Sequence, residues 1–349
     1  MTASLADRGR GHVDARRTRP TRQHGGVIPP SPYPVPHHST ARRPAWTSLP
    51  PALRAAVADR LGAPVVAART AGAGFTSGFA ALLSTADGGQ VFVKAASTAE
   101  QPHLVDWYAR EAAILARLPG GLPVPRPRWT LSEAGWFALG LDALPGRIPR
   151  LPWESTELTA TLTGYARVAA ALAEPPAELT GLGLPHLADL ARQDILWWEE
   201  VAAGREPPPV SPAGTLDRLD ELVALESRLP GYAAGATGLI HGDLRADNVL
   251  VDPAGRAWFC DWPWLCHGPP WFDLVTLLLS AYADGLDADA LFADHPASAG
   301  APADALDASL AALAGYHLVN AATPAPLSAH QRWSGTQALG WLARRQGWC

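Results

Sequence analysis

The sequence predicts an α+β fold in which a small antiparallel sheet precedes a larger, mainly helical lobe. Three observations lead there. Short runs with two-residue alternation, separated by glycine turns, fill the stretch from Val65 to Leu141. Beyond Pro145-Gly146, apolar residues recur at helical spacing almost to the end of the chain. A length of 349 residues with 48% hydrophobic and 17% charged content supplies core enough for two packed lobes.

Residues 1 to about 45 carry eight arginines among Pro, Gly, Ser and His and show no apolar period. Such a segment buries too little surface to offset the entropy of ordering it, which predicts a disordered tail. No apolar run follows Arg16-Arg17, so no export signal is read there. Leu53, Val57 and Leu61 then mark a short helix stopped by Gly62. Strands are predicted at Val65–Arg69, Phe79–Ser84 and Gln90–Ala95, the last two joined at Asp87-Gly88-Gly89, and again at Trp129–Leu131 and Trp136–Leu141. A helix over Trp107–Leu118 separates the two groups, so an N-terminal lobe at 46–141 and a second lobe at 142–349 are expected. In the second lobe helices are expected at Ser155–Leu172, Pro185–Ala203, Thr215–Arg228, Trp271–Ala283, Pro302–Asn320 and Leu327–Arg345. One hairpin interrupts them, formed by Asn248–Asp252 and Arg256–Asp261 around a Pro-Ala-Gly turn.

Composition excludes several functions. A formal charge of -5 gives no basic field for holding a nucleic-acid backbone. The longest apolar stretch, Leu274 to Ala283, is too short to cross a bilayer. Cys260, Cys266 and Cys349 are widely spaced and lack metal-site spacing, which predicts reduced thiols in a cytoplasmic protein. His37, His38, His267 and His317 also lack ligand spacing and read as structural or tail residues.

Of 28 basic residues only Lys94 is a lysine, so a compact ammonium is singled out at one place. In Val91-Phe92-Val93-Lys94 the strand alternation puts Phe92 and Lys94 on one face, beneath the glycine-rich turn Ala71–Phe79. Gly72 and Gly74 leave backbone N–H groups bare for phosphate oxygens, and Ser77 adds a hydroxyl. No Gly-Lys-Ser/Thr follows and no helix starts there, so neither a Walker loop nor a Rossmann turn fits. The most specific stretch is Leu239-Ile240-His241-Gly242-Asp243-Leu244-Arg245-Ala246-Asp247-Asn248, followed thirteen residues after Asn248 by Asp261-Trp262. It gathers a carboxylate, an amide and a second carboxylate around one loop and hairpin. Phosphoryl transfer needs such a set, one carboxylate to orient a hydroxyl and two oxygen donors to hold magnesium against phosphates.

Through the His-Gly-Asp, four residues, Asn signature and the later Asp-Trp, the chain resembles the aminoglycoside phosphotransferase family, small-molecule relatives of eukaryotic-like protein kinases, over about Leu49 to Ala283. The resemblance implies a bilobal protein-kinase-like fold with a nucleotide-binding N-lobe. It makes Asp243 the catalytic acid/base, Asn248 and Asp261 the Mg²⁺ ligands, and His241 a brace for the catalytic loop. It pairs Lys94 with Glu111 on the preceding lobe's helix and puts the lysine on the nucleotide phosphates. Arg245 stands where related kinases place a lysine near the transferred phosphoryl group. Asp273, in Trp271-Phe272-Asp273, resembles the aspartate that braces the loop from a helix start. Beyond the strand Trp136–Leu141, Asp142-Ala143-Leu144 resembles the hinge whose backbone meets the purine of ATP or GTP. Two features depart from the protein-kinase or family pattern: Gly242 replaces the arginine that senses a phosphorylated loop, and Pro263 stands where relatives often carry an acid.

The implied reaction is transfer of the γ-phosphoryl group of ATP or GTP to a hydroxyl of an antibiotic or natural product. A housekeeping metabolite kinase and a nucleotide-binding pseudokinase scaffold are the alternatives. For the acceptor, Asp194, Trp198 and Glu199 form an acid and tryptophan cluster suited to a cationic or ring-shaped substrate, or else one buried and one solvated helix face.

Overall fold

The computed structural model describes residues 37, 39–321 and 327–348. The alternation in the first strands decides which way the sheet faces. Val91, Val93 and Ala95 turn inward with Phe79, Ala81 and Leu83 and pack on Leu53 and Val57 of the first helix, α1 (Pro51–Leu61). Phe92 and Lys94 therefore point to the opposite face, as the alternation requires. Five antiparallel strands, β1 (Val65–Thr70), β2 (Phe79–Thr85), β3 (Gln90–Ser97), β4 (Pro127–Glu133) and β5 (Trp136–Asp142), lie in the order β1-β2-β3-β5-β4. Lys94 sits in the central strand, opposite Ala80 of β2 and Leu139 of β5. Helix α2 (Pro102–Leu115) crosses behind β3 and β5 and buries Leu104, Tyr108, Ile114 and Leu115. It starts earlier than the sequence predicts, because Pro102 supplies a first-turn residue whose missing N–H costs nothing there.

After β5 the chain runs through Pro145-Gly146 and is pinned to the second lobe at Arg147, whose backbone exchanges hydrogen bonds with Val251 at 3.1 and 2.8 Å. The second lobe holds α3 (Ser155–Leu172), α4 (Ala177–Thr180), α5 (Leu187–Leu190), α6 (Trp198–Ala202), α7 (Leu219–Glu226), α8 (Leu229–Ala233), α9 (Pro270–Ala283), α10 (Ala288–Ala293), α11 (Ala305–Asn320) and α12 (Leu327–Gln346). Between them lie β6 (Leu239–Ile240) paired with β9 (Cys266–His267), and the hairpin of β7 (Val249–Val251) and β8 (Ala257–Phe259). α9 is almost wholly buried and forms the axis of this lobe, with α11 and α12 packed beside it. No helix among the described residues is long and apolar enough to cross a membrane. Cys260 and Cys266 are free thiols, and Cys349 lies outside the described residues.

Two expectations change. The predicted helix Pro185–Ala203 is broken: α5 passes into a wide turn at Ala191–Ile195, Leu196 is extended, and α6 begins only at Trp198. The break buries Trp198 completely; its indole N–H donates to the Ala311 carbonyl at 2.9 Å and its ring fills the space beside Gly315, where a Cβ would come within 2.9 Å of it. Trp198 is thus a core residue and not a stacking surface for substrate. The tail boundary also moves. Residues 1–36 and 38 lie outside the described residues, but 39–45, assigned to the tail on composition, run along the glycine-rich turn.

Trp198→Ala is expected to cost about 3–5 kcal/mol in chemical denaturation, the range for deleting a buried large aromatic. A stability change within about 0.5 kcal/mol would return Trp198 to the substrate surface.

Candidate active site

The face of β3 turned from the sheet core meets the second lobe at Lys94. Its ammonium contacts both Glu111 oxygens, at 2.9 and 2.7 Å, and Asp261 Oδ1 at 2.9 Å. It also lies 5.7 Å from the centre of the Tyr108 ring. Burial alone would lower the Lys94 pKa, but Asp261 and then Glu111 overcome it and the net direction is upward. Asp261 is moved the other way: burial opposes its charge, Lys94 prevails, and the carboxyl is held at about 2. Glu111, almost fully buried at 1% exposure, is pushed up by that burial against the pull of Lys94. Asp261 has φ of 67°, a left-handed conformation that a short polar side chain tolerates better than most.

The glycine-rich turn lies over this cluster. Gly74 has φ of 87°, and a Cβ there would meet the Arg43 guanidinium at 3.0 Å. Arg43 donates to the carbonyls of Ala73 and Gly78 and to the Thr76 hydroxyl, at 2.9, 2.9 and 3.0 Å. The Ala41 N–H donates to the Gly72 carbonyl and the Thr40 hydroxyl to the Gly74 carbonyl, both at 2.8 Å. Ser77 is exposed, and its hydroxyl accepts from the Gln101 amide at 2.9 Å.

The loop His241–Asn248 is built on Asp273, the first-turn aspartate of α9. Fully buried, it accepts the N–H groups of His241 and Gly242 at 2.7 and 2.9 Å, and the Tyr165 hydroxyl at 3.3 Å. Gly242 has φ of 79°, and a Cβ there would come within 2.3 Å of the Trp264 carbonyl, so only glycine fits. His241 Nδ1 accepts from the Asp243 N–H at 3.3 Å, which assigns the ring proton to Nε2, 2.9 Å from the Cys260 carbonyl. The Cys260 N–H in turn donates to the Asn248 carbonyl at 2.9 Å. These contacts hold Asp261, the next residue, against the loop.

Asp243 is buried at 5% exposure and pairs with Arg245; Asn248 Nδ2 donates to its carbonyl at 2.7 Å. Burial would raise the Asp243 pKa, but Arg245 outweighs it and holds the carboxyl below its usual value. Arg245 also donates to both oxygens of Asp247, at 2.9 and 3.1 Å, and lies 5.4 Å from the centre of the Phe75 ring in the glycine-rich turn. With Nδ2 engaged, Asn248 has Oδ1 available as an oxygen donor, and Asp261, with Oδ1 on Lys94, has Oδ2. At the hinge, Asp142 pairs with Arg128 at 2.9 Å and its N–H donates to the Arg126 carbonyl at 2.9 Å, while Leu144 is half-buried in the linker.

Lys94, Glu111, Asp243, Arg245, His241, Asn248 and Asp261 thus form one connected cluster. The acceptor trio does not join it: Trp198 is in the core, Glu199 is exposed with its N–H on Glu226 at 2.8 Å, and Asp194 is half-buried with its carbonyl accepting from Trp197 at 2.8 Å. Sequence reasoning missed three participants. Asp247 balances Arg245, and its place two residues further on was a usable signal. Arg43 braces the turn and Thr276 donates to the Leu244 carbonyl at 2.9 Å, and neither stands in a motif.

A family model described as "Phosphotransferase enzyme family" matches residues 72–302. No curated protein matches the sequence. Among solved structures, the GDP complex of aminoglycoside 2'-phosphotransferase-IIIa is similar at 16% identity with a TM-score of 0.61, covering 85% of this chain and 99% of that one. An aminoglycoside phosphotransferase in ternary complex with AMP-PNP and hygromycin B gives 15% and 0.55, covering 83% and 97%. Macrolide 2'-phosphotransferase from Brachybacterium faecium gives 20% and 0.50, covering 81% and 95%. The shared fold is kinase-like.

Asp273→Ala would leave the buried N–H groups of His241 and Gly242 without an acceptor. A loss of about 2–5 kcal/mol is expected in denaturant unfolding. Unchanged stability would mean that the loop does not depend on this carboxylate.

Proposed function

Because the chain belongs to the phosphotransferase enzyme family, we propose that it transfers the γ-phosphoryl group of ATP or GTP to a hydroxyl of a small molecule, an antibiotic or other natural product. The observation that carries the proposal is the placing of Lys94 between Glu111 and Asp261, with Asp243 and Asn248 on the adjoining loop. In it the N-lobe binds the nucleotide: Gly72 and Gly74 cover the phosphates, Lys94 contacts them, and the backbone around Asp142 and Leu144 meets the purine.

Asp243 orients the acceptor hydroxyl and takes its proton late. Its lowered pKa makes it a weak base, which suits a loose transition state in which positioning matters more than base strength. Arg245, already paired with Asp243, is placed to stabilise charge on the transferred group. His241 and Asp273 fix the loop backbone that carries both.

The donor set fits Mg²⁺. Asn248 Oδ1 and Asp261 Oδ2 are hard oxygen donors, few enough to leave positions for phosphate oxygens and water. Lys94 and Arg245 are outnumbered by the carboxylates of Glu111, Asp261, Asp243 and Asp247. A bound Mg²⁺ would neutralise phosphate charge in that setting. One similar structure holds GDP and another AMP-PNP, so both nucleotides belong in the test.

Incubating the protein with labelled ATP or GTP and a panel of hydroxylated antibiotics and metabolites, with product read by mass, is expected to give a phosphorylated acceptor. Asp243→Asn is expected to lower turnover about a hundredfold or more while nucleotide still binds. Near-normal turnover would remove Asp243 from the proposed role.

A further inference from the structure

Beside Asp243 lies a cavity of about 40 Å³, walled by α9, α11 and α12, and Phe75 of the glycine-rich turn packs on its His330 with ring centroids 4.7 Å apart. That is room for a water molecule or two, well short of the roughly 300–1,000 Å³ of small-molecule sites. One wall is His37, from the segment that straps the glycine-rich turn. Its ring is buried against His330 and Trp333, with centroids 5.5 Å from each and near-perpendicular planes at 84° and 74°.

The wall chemistry is unusual for an acceptor site. Among the described residues lining it Asp243 is the only carboxylate, and it shares Arg245 with Asp247. Asp194 and Glu199 do not line it. The other described lining side chains are apolar or carry an imidazole, an indole or a hydroxyl. The Nδ1 atoms of His317 and His330 are buried and have no hydrogen-bond partner among the described residues, and His330 as a whole is 3% exposed. Burial holds the His317 ring at about 3 and the His330 ring well below its usual value, so both are neutral. Each can meet a hydroxyl without adding charge. An ammonium entering here would lose its hydration and meet Arg245 beside the single carboxylate of the described lining.

We propose that the acceptor is an uncharged hydroxyl compound with a flat ring, which takes the place His37 holds beside His330 and Trp333 while its hydroxyl meets Asp243. This rests on the phosphotransfer reading of the site. The acceptor oxygen bonds to the γ-phosphorus as the bond from that phosphorus to the bridging oxygen breaks. The hydroxyl proton passes to Asp243, and the electron pair leaves with the nucleoside diphosphate. His37 withdraws for the acceptor to enter.

The test uses the full chain saturated with Mg²⁺ and AMP-PNP and two calorimetric probes of one skeleton, 1,4-benzenedimethanol and 4-(aminomethyl)benzyl alcohol. The neutral diol is expected to bind about tenfold or more tightly than the amine. His37→Ala is expected to tighten diol binding severalfold by removing its competitor. An amine that binds as well as the diol, or a diol that does not bind, would overturn the acceptor class. Diol affinity that stays level or falls in His37→Ala would overturn the exchange with His37. If AMP-PNP itself fails to bind, the phosphotransfer reading falls and takes this inference with it; if it binds, the probe result judges the acceptor class alone.

Discussion

One ammonium is shared between carboxylates from the two sides of a cleft. Lys94 stands on the central strand of the sheet, Glu111 on the helix behind it, and Asp261 at the end of the hairpin in the helical lobe. A buried lysine is tolerated only with partners that offset its lost hydration, and here two carboxylates do so from different elements. Removing Lys94 leaves two carboxylates without their cation, whereas removing either carboxylate leaves Lys94 with one partner. The pair of lobes is thereby held in the register that brings Asp243 and Asn248 to the same place.

The second constraint is in the backbone. Gly242 and Asp261 both have positive φ, one turning the chain just before Asp243 and the other at the carboxylate that meets Lys94. The Gly242 turn has no room for a side chain, because the Trp264 carbonyl occupies it. Asp273 satisfies the two N–H groups that this turn buries. The Cys260 backbone, held by His241 on one side and Asn248 on the other, joins the two turns. Shape at the loop is set by backbone hydrogen bonds below it, and the side chains above are left for chemistry.

Much of this was legible in the sequence, and the reason is local. Asp243, Asn248 and Asp261 lie within one loop and hairpin, so their spacing alone brings them together. The alternation around Lys94 gave its face, and α3 and α9 were visible from their apolar period. The cavity proposed for the acceptor was illegible for the opposite reason. His317, His330 and Trp333 come from two helices that meet Asp243 only through packing against α9, and histidines without ligand spacing carry no signal. Trp198 shows a further limit: a cluster of acids and tryptophans does not say which face of a segment is buried, and the break at Ala191–Leu196 turned the indole inward. Arg43 escaped because composition described its segment as a tail, whereas its guanidinium is held by bare carbonyls of a glycine turn that has few side chains of its own.

The central claim is that Lys94 and Asp261 act on one nucleotide as a unit. It is tested most directly by a double-mutant cycle, measuring AMP-PNP affinity with Mg²⁺ for the wild type, Lys94→Met, Asp261→Asn and the pair. A coupling of about 1–3 kcal/mol is predicted, because Lys94→Met leaves Asp261 without its cation while Asp261→Asn leaves Lys94 to Glu111 alone. Additive losses, with coupling below about 0.5 kcal/mol, would contradict it.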